Sequence, residues 1–245
     1  MIYLLICVGL LSYVLCHLSY NSSFFFRIAS IHLDLQQTGA TYSNLMQVMS
    51  NVLLWPFLFS ISLLIEYEYS KEEFMLMVFF ASAASLLVNF YLEKKFIFVI
   101  NKSMQIIETY QKENSILNSF FVIFKETNPV HFVNKISFTN KTPIGITRKW
   151  KMICIISHIF MLGGFFIAYF LAVLYPEFRL TIIQSAIVFH GIGTAIWFLK
   201  IEPKYADLSD LGLAEGTFIL RKILKLRSYS HSFWIIVSLF FLIIY

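Results

Sequence analysis

Charged residues are scarce in this chain. They make up 13% of its 245 residues, whereas hydrophobic residues make up 58% and phenylalanine alone occurs 27 times. A soluble domain of this length could not bury so much apolar surface in one core. The composition therefore excludes a soluble globular domain and indicates an integral membrane protein, which we predict to form a single membrane domain over residues 1–245.

Cysteine and recognisable catalytic motifs are also scarce. The three cysteines, Cys7, Cys16 and Cys154, lie inside apolar stretches, which excludes a disulfide framework and a zinc-type spacing. The sequence has no H-E-x-x-H, G-x-S-x-G or P-loop motif, and its six histidines form no spaced pair on one helix face. We therefore expect no enzyme activity, no metal ion and no cofactor, and we expect no nucleic-acid partner.

An acidic cluster, "EPKYADLSD" at 202–210, has two interpretations. Carboxylate oxygens suit Mg²⁺, so the cluster could hold a divalent cation. A solvated turn on the cytoplasmic side explains the same residues more simply, and this is the interpretation that we favour.

Long apolar stretches are what the sequence has in abundance. Six of them occur, at 2–22, 43–65, 74–92, 152–174, 180–199 and 230–245. An α-helix needs roughly 17–25 mostly apolar residues to cross the hydrocarbon core, and none of the six alternates as a barrel strand does. We expect the first stretch to be a transmembrane helix rather than a signal peptide, because no basic residue precedes it and bulky Leu15 stands before Cys16. The sequence predicts an all-α polytopic membrane protein, a bundle of about six transmembrane helices.

The basic residues predict how these helices are oriented. Of the 19 lysines and arginines, 17 fall in the first, third and fifth connections, and only Lys71 and Arg179 fall on the other side. Basic residues in short loops favour the cytoplasmic face. We therefore predict that both termini lie outside and that 93–151 and 200–228 lie in the cytoplasm.

The segment 93–151, between the third and fourth predicted helices, carries ten basic and four acidic residues. We interpret it as a basic cytoplasmic loop that is partly amphipathic. Phe96, Ile100, Met104 and Ile107 recur at helical spacing, which predicts a helix that either extends the third transmembrane helix or lies along the membrane interface.

The same segment ends in a cluster of Arg148, Lys149 and Lys151 beside Trp150. Basic clusters next to a membrane attract anionic lipids. We therefore expect anionic membrane lipids as partners. The alternative is that this cluster docks an anionic lipid headgroup or its pyrophosphate.

Polar residues inside the apolar stretches are costly in hydrocarbon unless they have a partner or face water. In the second stretch, Asn44, Gln47 and Asn51 share one helix face. This polar stripe either binds neighbouring helices together or lines a hydrated path. Asn89 and His158 are isolated polar residues in the third and fourth stretches, and for both we favour a role in helix packing.

The fifth stretch carries polar residues on two faces. His190 and Thr194 are four residues apart, and Gln184 and Gly191 are seven apart. We therefore expect a central helix whose Gln184, His190 and Thr194 face other helices or a polar cavity, while Gly191 and Gly193 permit close packing.

Three patches resemble the Amj family of bacterial lipid II flippases, the alternates to MurJ. They are "FFFRIASIHLDLQQTGATYSNLMQVMSNVLLWP" (24–56), "LYPEFRLTIIQSAIVFHGIGTAI" (174–196) and "IEPKYADLSDLGLAEGTF" (201–218), in that order and separated by the basic loop. The resemblance implies a six-helix protein of the bacterial cytoplasmic membrane. Its implied activity is to move undecaprenyl-pyrophosphate-linked disaccharide-pentapeptide to the outer leaflet for peptidoglycan synthesis and cell shape.

The resemblance and the polar residues together suggest a set of substrate-binding candidates. Arg27 is expected to contact the lipid pyrophosphate or an acidic partner such as Asp34, since a guanidinium pairs well with phosphate. The implied partners are a polyprenyl-pyrophosphate-linked glycan lipid and either further copies of the chain or cell-wall synthesis proteins. The candidates are Arg27, Asn44, Gln47, Asn51, Arg179, Gln184, His190 and Thr194.

One position departs from the family pattern. Family members tend to have an arginine in the second helix shortly before an asparagine, where this chain has Val48 before Asn51. The departure implies that no cation lies inside the bundle and that Arg27 and Arg179 alone bind the headgroup. Two alternatives to lipid II translocation stay open: a flippase for another polyprenyl-linked glycan, and a membrane scaffold or accessory subunit that does not transport.

Overall fold

The computed structural model describes residues 2–66, 70–124, 146–210 and 212–244. Within these ranges the chain is helical and contains no strand. The helices, in chain order, are α1 (Ile2–His32), α2 (Gln36–Glu66), α3 (Lys71–Lys94), α4 (Phe96–Glu113), α5 (Ile116–Phe121), α6 (Arg148–Leu174), α7 (Arg179–Ile196), α8 (Glu202–Asp210) and α9 (Leu213–Ile244).

Six of these helical segments are long and apolar enough to cross a membrane, which confirms the predicted fold class. They are α1, α2, α3, α6, the rod formed by α7 and α8, and α9. The last one differs from the prediction: α9 begins at Leu213, directly after Gly212 with its φ of 138°, and not near residue 230. A φ in this region favours glycine and is not helical. The chain therefore leaves helical geometry at Gly212, between α8 and α9.

The ends of the helices follow from local sequence. Ser70 caps α3 in a capping box with Glu73, since each side chain bonds the other residue's backbone N–H. Thr147 caps α6 by accepting a hydrogen bond from the backbone N–H of Trp150. Asp34 has a φ of 56° in the short turn between α1 and α2, so α1 and α2 form an antiparallel hairpin.

The spanning helices pack mainly as three pairs, α1 with α2, α3 with α9, and α6 with α7. In its most apolar window, α6 has 56% of its residues buried, whereas the window that contains α7 has 17%. The expectation of a central fifth transmembrane helix is therefore wrong. The fourth one, α6, is the most enclosed, and α7 lies at the edge of the bundle.

The apolar core is divided into two clusters. One contains Phe24 and Leu226, and the other contains Tyr13 and Trp234. On α1, α6 and α9, one part of the helix belongs to the first cluster and another part to the second, and polar residues lie between the two parts. On α6 these polar residues include His158. We call this middle region the polar layer: His17, Asn21, Asn89, His158, Arg227 and His231.

The predicted helical spacing after residue 95 is confirmed. Phe96, Ile100, Met104 and Ile107 are all buried on α4, and α4 packs against α1. It is a helix distinct from α3, because the backbone leaves helical geometry at Lys95. Residues 125–145 of the predicted loop lie outside the described residues. The cytoplasmic position of 93–151 stays a prediction.

Two glycines permit close approach of α6 and α7. A Cβ on Gly193 would lie 2.5 Å from the backbone nitrogen of Met161, and a Cβ on Gly164 would lie 2.6 Å from that of His190. Gly191 is different, because a Cβ there would meet nothing within 4 Å. The expectation of close packing is confirmed for Gly193 and wrong for Gly191, which faces away from α6.

We predict that Gly193→Ala destabilises the bundle by about 1–3 kcal/mol, the usual cost of overpacking, because the new methyl group meets backbone atoms that cannot move aside. Gly191→Ala is the matched control: it has open space, and alanine is the better helix former. Unfolding of the purified variants by a denaturing detergent, followed by circular dichroism, measures both. Equal stability of the two variants would contradict the packing of α6 on α7.

Candidate functional site

A single arginine lies in the middle of the bundle. Arg227 is near the centre of the 32-residue helix α9, and only 3% of its surface is exposed. Its Nε donates to Nε2 of His158 at 2.5 Å, and its Nη1 donates to Oδ1 of Asn21. Asn21 in turn donates to Oδ1 of Asn89 at 2.7 Å. The guanidinium is therefore held by side chains from α1 and α6, and Asn89 on α3 accepts a hydrogen bond from the α1 residue Asn21.

The residues that the structure describes around Arg227 supply no compensating negative charge. His158 accepts from the guanidinium through Nε2, so its Nδ1 carries the proton and donates to the carbonyl oxygen of Cys154 at 2.8 Å. The guanidinium carbon lies 4.2 Å from the ring centroid of Tyr20 and 5.5 Å from that of Trp197. These contacts favour a cation, but among the described residues no carboxylate pairs with Arg227.

Arg227 lines a cavity inside the bundle, which we call the inner cavity. Its volume is about 150 Å³. Its wall is formed by α1, α2, α6, α7 and α9 together with Phe198, and combines aromatic, amide, hydroxyl and imidazole groups. The polar side chains in it include Gln47, Ser50, Asn51, Thr194 and His190.

A second, more polar cavity adjoins it, which we call the outer cavity. It has a volume of about 360 Å³ and is lined by the C-terminal part of α1, the N-terminal half of α2 and the start of α8. Gln47 and Phe198 line both cavities, so the two are neighbours along α2. Together they extend from Arg227 to an ion pair of Arg27 and Glu202.

That ion pair corrects the expectation for Arg27. Its Nη1 lies 2.6 Å from Oε1 of Glu202, while the indole Nε1 of Trp197 donates to Oε2 of the same carboxylate at 3.0 Å. The acidic partner is therefore Glu202 and not Asp34, which is exposed. Since Glu202 is held by both groups, it does not act as a cation ligand in this arrangement. In the described part of the chain no group of three histidine, cysteine or acidic residues is placed to hold a metal ion.

The backbone changes geometry where the two cavities meet. Residues Trp197–Ile201 form a π-helical turn between α7 and α8, a feature that often occurs at functional sites. The turn directs Trp197 into the core against His158 and Arg227, while Phe198 borders both cavities.

The inner cavity, which α2 and α7 both line, lies at the gap between these two helices. α2 packs chiefly on α1, and α7 packs chiefly on α6. Asn51 on α2 and Phe198 after α7 line the inner cavity and are exposed on its rim. A group in the inner cavity can therefore reach the side of the bundle through this gap.

The predicted polar residues divide into two sets. Asn44 lines the outer cavity, Gln47 lines both, and Asn51 lines the inner one, so the face predicted for α2 borders both cavities. His190 and Thr194 line the inner cavity, and Nδ1 of His190 lies 2.9 Å from the carbonyl oxygen of Met161.

The other two predicted residues do not join this set. Gln184 is exposed and lines neither cavity, so the expectation that it faces other helices or a cavity is wrong. Arg179 begins α7, at the end away from Arg27, and lines neither cavity. The periodicity of α7 alone could not show which of its two polar faces turns inward.

Four residues of the polar layer are not among the sequence-based candidates: His17, Asn21, Arg227 and His231. The sequence predicts Arg227 in a cytoplasmic connection, and the departure at Val48 predicts no cation inside the bundle, yet Arg227 is buried and lines the inner cavity. The expectation of a bundle without an internal cation is therefore wrong. His158 was assigned to packing, but it holds Arg227 and lines the inner cavity. The packing role of Asn89 is confirmed by its bond to Asn21.

Comparison with known proteins identifies one family. A family model described as "Amj: Alternate to MurJ" matches residues 13–225, which is most of the chain. The family name implies an alternate to the lipid II flippase MurJ, hence a transporter class with a polyprenyl-linked lipid substrate in the cytoplasmic membrane. Comparison with curated proteins and with solved structures gives no significant match.

We predict that a cysteine at position 47 is accessible to water and one at position 48 is not. Gln47 lines both cavities, whereas Val48 is exposed on the outer surface of an apolar helix. Because a thiol reacts as its thiolate, which forms only in a hydrated environment, Gln47→Cys should react with a charged thiol reagent at least about tenfold faster than Val48→Cys. Both are tested in a chain whose native cysteines are replaced by serine or alanine. Equal rates would contradict a hydrated path.

Proposed function

Because the chain belongs to the Amj family, we propose that it moves an undecaprenyl-pyrophosphate-linked peptidoglycan precursor across the cytoplasmic membrane. The observation that carries this proposal is Arg227, a buried cation without an acidic partner among the described residues, in the wall of a cavity. The pyrophosphate is the strongly anionic part of such a lipid, and the inner cavity offers it the charge that the protein leaves uncompensated.

The physical requirement for translocation is to replace the water around a phosphate while it crosses hydrocarbon. An unpaired anion in hydrocarbon is prohibitively costly. A guanidinium compensates it well, since its planar donors match phosphate oxygens. Asn51 and Gln47 on α2 add amide donors to the wall of the inner cavity. These neutral groups can donate hydrogen bonds to the phosphate without holding it by charge.

The cavity volumes favour passage of the headgroup in parts. A cavity of about 150 Å³ admits a group about the size of a benzene ring, which suits a diphosphate and is far too small for a disaccharide-pentapeptide. We propose that the diphosphate enters the inner cavity, that the glycan follows through the gap between α2 and α7, and that the prenyl chain stays in the lipid beside this gap.

We propose that the outer cavity opens toward the cytoplasm. It lies where α1 ends and α2 begins, and in the predicted orientation this end of the bundle carries most of the basic residues. The Arg27–Glu202 pair stands at this entrance. An arriving phosphate would compete with Glu202 for Arg27, so Arg27 acts first and Arg227 second along the path.

The alternatives are separated by what they require of the bundle. A scaffold needs a closed bundle, and the two neighbouring cavities favour transport over it. A flippase for another polyprenyl-linked glycan would use the same diphosphate site, since Arg227 contacts no part of a sugar in this scheme. Competition between lipid II and other polyprenyl-linked glycans in vesicles distinguishes the two.

We predict that Arg227→Lys and Asn51→Leu lower lipid II flipping in reconstituted vesicles by roughly ten- to a hundredfold, since a hydrogen bond to a charged group contributes about 1.5–3 kcal/mol. Lysine keeps the charge but loses the paired geometry. Gln184→Leu is the matched control, because it removes an amide that lines neither cavity, and it should flip as the wild type does.

The same variants are tested for complementation of a strain depleted of its flippases, with protein abundance measured alongside. If Arg227→Lys and Asn51→Leu are abundant and flip normally, the inner cavity is not the path. If Gln184→Leu fails at normal abundance, the path runs along the outer face of α7 instead.

A further inference from the structure

The polar layer and the wall of the inner cavity together contain more imidazole groups than the binding of a phosphate by Arg227 requires. His17, His158 and His190 line the inner cavity, and the ring of His231 packs edge-on against that of His17 with centroids 5.2 Å apart. His158 and His190 contact main-chain oxygens. In the described part of the chain, Nε2 of His17 and Nδ1 of His231 are buried without a hydrogen-bond partner, and helix packing alone does not explain two such groups side by side.

The charged group beside the pair of His17 and His231 is the positive guanidinium of Arg227. Among the described residues, α2 contributes neutral amides and hydroxyls to the cavity wall, and Asn89 on α3 bonds to Asn21. The carboxylate of Glu202 is held at the outer cavity by Arg27 and Trp197. A proton on His17 or His231 would therefore add a second positive charge beside Arg227, which like-charge repulsion disfavours. The titratable and charged groups around the pair are Tyr13, Cys16 and Tyr20 on α1, Cys154 and His158 on α6, His190 on α7 and Arg227 on α9.

A phosphate beside Arg227 reverses this balance. It adds at least one negative charge to a site whose fixed charge is a single guanidinium, so a protonated imidazole then gains an attraction where it had met a repulsion. The two buried nitrogens without partners are the groups placed to take up that proton.

We propose that the inner cavity binds its phosphate together with a proton, carried by His17 or His231. The inference rests on the proposed function, because it concerns the same site. The proton comes from water as the phosphate enters and returns to water as it leaves, and no bond of the lipid is broken. Binding and protonation are thermodynamically linked, so phosphate binds more tightly as the pH falls, and bound phosphate favours the protonated imidazole.

The linkage is measured with farnesyl pyrophosphate, a water-soluble prenyl diphosphate, and the purified full chain in detergent. Titration calorimetry at one pH, in two buffers of different ionisation enthalpy, gives the number of protons taken up per ligand bound. The probe itself also takes up protons near neutral pH, so the informative quantity is the difference between the wild type and the variant His17→Asn/His231→Asn. We expect the wild type to take up about half to one proton more.

The matched control is His32→Asn, at the end of α1 and outside both cavities, which should behave as the wild type does. A second readout needs no variant: with isotope-labelled histidine, the infrared difference spectrum of the wild type should show an imidazolium band when the probe binds.

The outcomes separate the two proposals. Equal proton uptake by the wild type and the double variant, or binding without an imidazolium band, would overturn proton coupling and leave the proposed function in place. No binding of the probe by the wild type would overturn both. Greater uptake by the wild type with an imidazolium band establishes the coupling.

Discussion

The rest of the structure depends on holding one positive charge at the middle of a membrane bundle. An arginine at the centre of a transmembrane helix costs about 2.5–3.5 kcal/mol even on the scale of insertion experiments. Here the cost is offset by His158 and Asn21, and by the faces of Tyr20 and Trp197. These groups come from α1, α6 and the π-helical turn after α7, so placing one guanidinium fixes the arrangement of three spanning segments around α9.

The same constraint explains why the bundle has a polar middle between two apolar clusters. A charge without a carboxylate partner requires neutral hydrogen-bonding groups around it, and the chain provides amides and imidazoles in one layer. Such a layer packs less completely than aliphatic side chains do, and the inner cavity lies at this level. The polar face of α2 extends the layer toward the outer cavity, so the two cavities and the buried charge have one physical origin.

The number of spanning helices was predictable because it depends on long apolar runs. The shared face of Asn44, Gln47 and Asn51 was predictable because their helical spacing places all three amides on one side of α2. Arg227 was not predictable in the same way. The stretch "RKILKLR", which ends at Arg227, is as basic as a loop, and only tertiary packing shows that α9 carries its last arginine into the core.

The role of α7 was misjudged for a related reason. Periodicity shows that its polar groups lie on two faces, but which face turns inward depends on the neighbours, and α7 has few of them. The close approach at Gly193 fixes its rotation, which brings His190 and Thr194 to the inner cavity and leaves Gln184 outside. A glycine pair in a sequence does not reveal which member makes the contact.

The central claim is that the substrate's diphosphate occupies the inner cavity beside Arg227. An electron cryo-microscopy structure of the chain with bound undecaprenyl pyrophosphate tests it most directly. The account predicts phosphate density within about 3 Å of the guanidinium nitrogens of Arg227, with the prenyl chain leaving between α2 and α7. Phosphate density only at the basic residues beside Trp150, with Arg227 still enclosed by His158 and Asn21 alone, would contradict it.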